Sequence, residues 1–250
     1  LNRYDGAKFT IYKHEPNNEH SLAHNFVRTV FEDSKGHLLI GTYIGIQMYD
    51  PATDNFTPLA KLEDTGETLE SNINSFIERK NGEIWVSGNV LCKLDIKDHL
   101  LTVRKVDIAV TSPGSLFEDK KQNVWMAKGE EGVYQLTPDN QLTLHLSKDN
   151  GYVKSICEDQ RGNIYVGSIR KGLFIYDKER KTFVPIDLKE KGELPVCFLY
   201  SGIPNKLYIG TDGKGVVIYN IRTHEISEYK FDNNYFDSGN SKIHSILKDN

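Results

Sequence analysis

The 250-residue sequence is poor in several things, and each shortage narrows what the chain can be. No apolar run approaches the roughly 20 residues of a membrane-spanning helix, and no amphipathic run of helical period extends beyond a few residues. Lys and Arg number 31 against 35 Asp and Glu, so the chain lacks the basic surface of a general nucleic-acid binder. Hydrophobic residues make up 38%, which suits thin β-layers better than a thick helical core. Only three cysteines occur, Cys92, Cys157 and Cys197, which excludes a full disulfide framework. Each lies in an apolar strand-like run (VLCKL, SICED, VCFLY) and is expected to be a buried thiol. The opening Leu1-Asn2-Arg3-Tyr4 reads as folded sequence rather than as a secretory leader. What the chain has in quantity is Tyr (13), Phe (11) and Gly (20), the composition of strands separated by turns.

The chain also repeats itself. FEDSKGHLLIGT (31–42) returns as IERKNGEIWVSG (77–88), FEDKKQNVWMAK (117–128), CEDQRGNIYVGS (157–168) and YSGIPNKLYIGT (200–211). Anchored on the small residue after the apolar triplet (Gly41, Ser87, Ala127, Gly167, Gly210), the steps are 46, 40, 40 and 43 residues. Each copy carries four strand signals. An alternating stretch such as Val27–Phe31 is followed by a polar turn with Gly or Asn, where a positive φ reverses the chain. A short run then centres on Leu39, Trp85, Trp125, Tyr165 or Tyr208, and a second turn closes on Gly45, Gly132, Gly172 or Gly215. A third alternating strand and a weaker outer one complete the unit; in the first copy the four are expected near Val27–Phe31, Leu38–Thr42, Ile46–Tyr49 and Phe56–Leu59.

Four short antiparallel strands per roughly 42 residues predict a propeller blade. The fold class is therefore an all-β β-propeller of four-stranded antiparallel blades, expected to be seven-bladed with incomplete first and last blades. As one domain over 1–250, it comprises a partial blade at 1–13, full blades at about 25–59, 71–107, 110–146, 152–186 and 196–231, and a partial blade at 241–250. The bulky middle residue is expected to fill the space between blades, and the small anchor to let neighbouring sheets approach.

The unit resembles the two-component regulator propeller repeat, whose core reads roughly D-x-x-G-x-[LI]-W-[IV]-G-T-x-x-G-[LI]. It is seen in DSKGHLLIGTYIGI (33–46) and DQRGNIYVGSIRKGL (159–173), with partial matches in NGEIWVSG (81–88) and KLYIGTDGKGV (206–216). The opening LNRYDGAKFTIYKHEPNNEHSLAHNFVRTVFED is similar to the first blade junction of large hybrid two-component sensors. The resemblance implies the periplasmic sensor region of an inner-membrane hybrid histidine kinase, a dimer that responds to glycan-derived oligosaccharides and controls glycan-utilisation genes. It implies a neighbouring propeller and an immunoglobulin-like domain in the same chain. It implies a binding and scaffolding role for this part, without catalysis and without nucleic acid. Two rival readings are a propeller lyase of the streptogramin-inactivating type and a structural spacer whose ligand site lies elsewhere.

Most chemistry-like motifs read as structure. Glu32-Asp33, Glu118-Asp119 and Glu158-Asp159 recur at one place of the repeat and are expected to cap turns. His20 and His24 are four apart but in a loop, which does not suit a metal, and Gly213-Lys214-Gly215 is a hairpin turn rather than a phosphate loop. No cofactor or metal is expected. The turns between second and third strands differ among the copies, and that face is the expected contact surface. Its candidate ligand- or partner-binding residues are Tyr43, Lys128, Arg170 and Asp212, with Arg28 and Lys154 at the channel mouth.

Overall fold

Among residues 1–146, 151–188, 194–229 and 242–246, which the computed structural model describes, every regular element is a strand. No helix among them is long and apolar enough to cross a membrane. The chain divides into two units, Leu1–Pro113 and Gly114–Asn250.

The N-terminal unit opens with a hairpin of β1 (Asn2–Tyr4) and β2 (Phe9–Ile11). A four-stranded antiparallel sheet follows, β3 (Val27–Glu32), β4 (Leu38–Thr42), β5 (Ile46–Asp50) and β6 (Asn55–Phe56). The last strand is shorter than the expected Phe56–Leu59. Thr57 N and Ala60 N still donate to Met48 O and Ile46 O, but Pro58 between them has no N–H and breaks the ladder. The next sheet has five strands rather than four. β8 (Ser75–Glu78), β9 (Ile84–Ser87), β10 (Leu91–Lys97) and β11 (Leu100–Lys105) form the meander, and the short β7 (Lys61–Leu62) lies parallel along β11. β7 comes from the chain that makes the 46-residue step the longest of the four.

The C-terminal unit holds three four-stranded antiparallel meanders. They are β12–β15 (Leu116–Glu118, Val124–Lys128, Gly132–Leu136, Leu142–Leu146), β16–β19 (Val153–Glu158, Ile164–Ser168, Gly172–Asp177, Thr182–Pro185) and β20–β23 (Val196–Ile203, Lys206–Thr211, Val216–Asn220, Ile226–Glu228). At the end of the described chain, Ile243 N donates to Thr211 O, just as Ile73 N donates to Thr42 O where the second sheet meets the first. Ile243 thus stands to the last sheet as Ile73, in the approach to β8, stands to the first. Of the expected closing partial blade, 241 and 247–250 lie outside the described residues, as do 230 and 231 of the last full repeat.

The recurring Asp is the hub of its turn. Asp33, Asp119 and Asp159 are buried, each taking backbone N–H groups two and four residues ahead. The second carboxylate oxygen holds the side chain four residues on: His37 Nδ1 at 2.8 Å, Asn123 Nδ2 at 2.7 Å and Asn163 Nδ2 at 2.8 Å. Trp125 Nε1 and the Tyr165 hydroxyl, six residues on, reach the same oxygen. The second repeat has Arg79 where the Asp would stand, and Glu83 takes over: Trp85 Nε1 donates to it at 3.0 Å and Lys93 Nζ lies 2.6 Å away. Arg79 covers the Trp85 ring at 4.6 Å. The neighbouring Glu serves the adjacent sheet. Glu78 accepts from the Ser34 amide at 2.7 Å and Glu158 from the Lys120 amide at 2.9 Å, so the paired carboxylates are cap and inter-sheet latch.

The middle residues Leu39, Trp85, Trp125 and Tyr165 are buried, as expected. Trp125 packs edge-on against Tyr176 and Phe183 of the next sheet, at 5.2 and 5.8 Å. Tyr208 departs from the pattern and is only half-buried, with Leu207 and Ile209 filling the core beside it. Its register matches that of Tyr165, and its ring meets those of Tyr200 and Tyr229. The small anchors do admit the neighbour: a methyl on Gly41 would lie 2.7 Å from Ile73 Cγ2, and one on Gly210 would lie 2.7 Å from Ile243 Cγ2. The cysteines are buried and free. Burial pushes the Cys92 thiol up to about 11 and the Cys157 thiol up to about 12.

Candidate ligand-binding face

The turns between second and third strands are locked by the hydroxyl that follows the anchor. Thr42 Oγ1 donates to Gly45 O and accepts from the Ile44 and Gly45 amides. Thr211 Oγ1 repeats this with Gly215 O and the Lys214 amide, and Ser168 Oγ accepts from the Lys171 amide. All three hydroxyl residues are fully buried, so the short turns they close are rigid supports for whatever side chain follows.

In the N-terminal unit the side chain that follows is Tyr43, 55% exposed, its ring 5.6 Å from that of His24. Arg28 is exposed on β3. In the C-terminal unit the candidate residues carry ion-pair partners of their own. Arg170 Nη1 lies 2.7 Å from Glu130, Lys128 Nζ 2.7 Å from Glu131, and Lys242 Nζ 2.6 Å from Asp212. The last pair raises the Lys242 ammonium pKa, chiefly through the hydrogen bond to Asp212. The Arg170–Glu130 pair is largely exposed, and exposed pairs are worth only ~0–1 kcal/mol, so a ligand carboxylate could displace Glu130 at little cost. Lys154 is half-buried on β16, where its carbonyl accepts from Ser115 Oγ.

The histidines are engaged separately. His20 Nδ1 sits 3.2 Å from Phe56 O, and His24 Nδ1 accepts from the Phe26 amide at 3.0 Å. His145 is packed on Trp125 and Tyr176, and burial lowers its pKa.

The structure adds a feature that the repeat pattern alone did not contain. Tyr43 and Asn89, from the turns of the first and second sheets, share a cavity of about 640 Å³ with Glu70, Ser71 and Asn72. A second cavity of about 840 Å³ adjoins it, and Ile44, Leu59 and Thr68 line both. The long connection after β6 supplies most of the smaller cavity's wall, and the segment before β3 supplies much of the larger one's. That connection presses on both turns: a methyl on Gly45 would lie 2.8 Å from Leu59 Cδ2, and one on Gly88 would lie 2.8 Å from Asn72 O. Ser71 Oγ also takes the Asn89 amide at 2.9 Å. The available sequence signal was the extra length of the first step, six residues beyond the 40 of the next two.

The two-component regulator propeller family matches residues 21–43 and 147–170. No curated protein sequence matches the chain. Among solved structures, the extracellular domain of a putative hybrid two-component system from B. thetaiotaomicron is similar at 18% identity and a TM-score of 0.72, over 96% of this chain and 33% of that one. A second such domain from the same organism is similar at 19% identity and 0.63, over 83% and 28%. Virginiamycin B lyase from Staphylococcus aureus, in a catalytically inactive form with quinupristin, is similar at 13% identity and 0.66, over 92% and 75%. The chain thus spans about a third of the length of the extracellular domains it matches. At these identities the likeness carries the fold, and the family match carries the repeat. The chain folds as a β-propeller and matches the two-component regulator propeller repeat at residues 21–43 and 147–170.

Proposed function

We propose that this chain is a ligand-sensing and scaffolding propeller from the periplasmic part of a hybrid two-component sensor, responding to glycan-derived oligosaccharides. The observation that supports it best is Tyr43, the last residue of the first family match, held exposed by a buried threonine and lining a cavity with Glu70, Ser71, Asn72 and Asn89. An exposed aromatic ring flanked by amide and carboxylate side chains suits stacking and hydrogen bonding to sugars. The same reading places Arg28, Lys128, Lys154, Arg170 and Asp212 on the contact face, and makes the output a population shift between domains of a dimer rather than chemistry. A neighbouring propeller and an immunoglobulin-like domain would then be the covalent partners.

The test is calorimetric titration of the chain with a panel of glycan oligosaccharides, followed by Tyr43→Ala combined with Arg170→Ala. Both side chains are exposed, so the melting temperature should stay within a few degrees while affinity, and signalling in the intact receptor, falls at least about tenfold. A double variant that binds and signals normally at every ligand concentration would remove this face from consideration.

A further inference from the structure

The two adjoining cavities of the N-terminal unit differ from the rest of the candidate face in charge. Lys128, Lys154 and Arg170 belong to the C-terminal unit; the cavity beneath Tyr43 contains one carboxylate, Glu70, and no cationic side chain. The adjoining cavity adds Glu15 and Glu19 against Lys61, with two histidines. Carboxylates therefore outnumber fixed positive charges, while Ile44 and Leu59 add apolar lining to both cavities and Tyr43 lines the smaller one. Each cavity falls within the roughly 300–1,000 Å³ of ordinary small-molecule sites.

A second observation comes from hydrogen bonding. Among the described residues, Asn72 Oδ1 is the buried side-chain oxygen left without any hydrogen-bond partner. Asn72 lines the cavity with Tyr43, and its neighbour Ser71 is held by the Asn89 amide. An unpaired buried acceptor is a standing cost to the free protein, and a ligand hydroxyl or amine donating to it would remove that cost. The terminal amide torsion is broad, so the side chain can turn its oxygen toward the cavity without leaving a rotamer well.

From the charge and the unpaired acceptor together, and resting on the sensing role proposed above, we infer that this groove binds a linear oligosaccharide free of acidic groups, with Asn72 as a hydrogen-bond acceptor and Tyr43 as the stacking platform. A uronate or sulfated chain would bring its negative charge against Glu15, Glu19 and Glu70.

The experiment titrates the chain calorimetrically with tetrasaccharides of glucose, glucosamine and galacturonic acid, and repeats each titration with Asn72→Ala. Binding of the neutral or amine-bearing tetramer is expected, with the galacturonate tetramer at least about tenfold weaker. Asn72→Ala should weaken the bound tetramer at least about tenfold while leaving the melting temperature unchanged or higher, a pairing that a purely structural asparagine would not produce. Equal or tighter binding of the galacturonate tetramer overturns the inference. So does an Asn72→Ala variant that melts lower yet binds normally. If galacturonate binds and Arg170→Ala abolishes it, the sensing role survives and the groove assignment fails; if no tetramer binds, both fail.

Discussion

Replacing Gly41 by alanine tests whether the small anchor exists to seat the neighbouring sheet. Gly41 sits in β4, where its φ imposes no left-handed requirement, so its demand is for space alone. The added methyl would lie 2.6 Å from Thr29 Cγ2, 2.7 Å from Ile73 Cγ2 and 3.0 Å from Ile73 Cβ. Ile73 is 1% exposed and tied through its amide to Thr42 O, so it can retreat only by moving the segment that leads into β8. Overpacking of this kind costs ~1–3 kcal/mol. For a chain of this size each kcal/mol moves the melting temperature by about 2–4 °C, which gives a fall of roughly 2–12 °C by circular dichroism. Ile73→Ala alone should cost about 2–5 kcal/mol through the cavity it leaves. In the double variant the two defects fit each other, because the methyl added in Gly41→Ala occupies part of the space Ile73 vacates. The Thr29 contact remains in the double variant, so its loss should fall short of the sum of the two single losses by an interaction of at least ~0.5–1 kcal/mol rather than vanish. An unchanged melting temperature for Gly41→Ala, or strictly additive losses, would refute the close-approach argument. The third repeat shows how a methyl can be housed: its anchor is Ala127, and Val153 N bonds to Gly129 O, one residue further along than the Ile73–Thr42 and Ile243–Thr211 bonds lie from their anchors.

Three further outcomes follow from the turn hubs and thiols. Asp119→Ala leaves Trp125 Nε1 and the Asn123 amide without their acceptor, and the urea midpoint should fall by the equivalent of roughly 2–4 kcal/mol, one or two unpaired donors at 1–3 each. Burial pushes the Glu83 carboxyl up, but hydrogen bonds from Lys93 and Trp85 outweigh it and bring it down from 4.5 to about 2. A lowered folded pKa means stability that is present above pH 4.5 and lost as pH falls toward 2. Because the Glu83 side chain is a third exposed, the contribution after solvent screening is about 1 kcal/mol, so wild type and Glu83→Gln should differ by that much at pH 7 and converge near pH 2 in thermal melts. With all three thiols buried, iodoacetamide at pH 8 should modify none in the native protein and all three in urea, read by mass spectrometry.

The fold was legible because each repeat states the same local requirements at the same places. Gly36, Gly82 and Gly162 take positive φ in the first turn of their repeats, and the Asp ahead of the turn caps it in the first and fourth, so five noisy copies could be read as one clear one. Departures were legible as departures, but their repair was not. That Arg79 replaces the turn Asp is visible in the sequence; that Glu83 and Lys93 rebuild the Trp85 contact from the turn and the adjoining strand is a matter of cross-strand register, Lys93 opposite Trp85. β7 was missed because two residues, Lys61 and Leu62, carry no periodicity, and their strand character comes from the β11 edge they pair with. The candidate side chains on the turns could be listed by position, yet nothing in the spacing told that Arg170, Lys128 and Asp212 already hold partners, since Glu130, Glu131 and Lys242 are common residues at unremarkable separations.

The same contrast explains where specificity can arise in such a chain. A site formed by residues common to every repeat would be copied around the fold with the same chemistry each time, and Asp33, Asp119 and Asp159 show what repetition produces, which is identical turns. A distinctive site needs an element that occurs once. The connection from Thr57 to Ile73 is such an element: it supplies an edge strand to β11, rests on Gly45 and Gly88, and walls the cavity under Tyr43 with Glu70, Ser71 and Asn72. Its contacts are held by groups the repeat provides everywhere, namely a tight glycine and the fixed amide of a rigid turn, so the extra residues needed no new scaffold. The unpaired Asn72 oxygen lies in this added segment, and the repeated hubs satisfy their own polar groups. Regular repeats commit their polar groups to holding the turns; this irregular connection has an acceptor left over for a ligand.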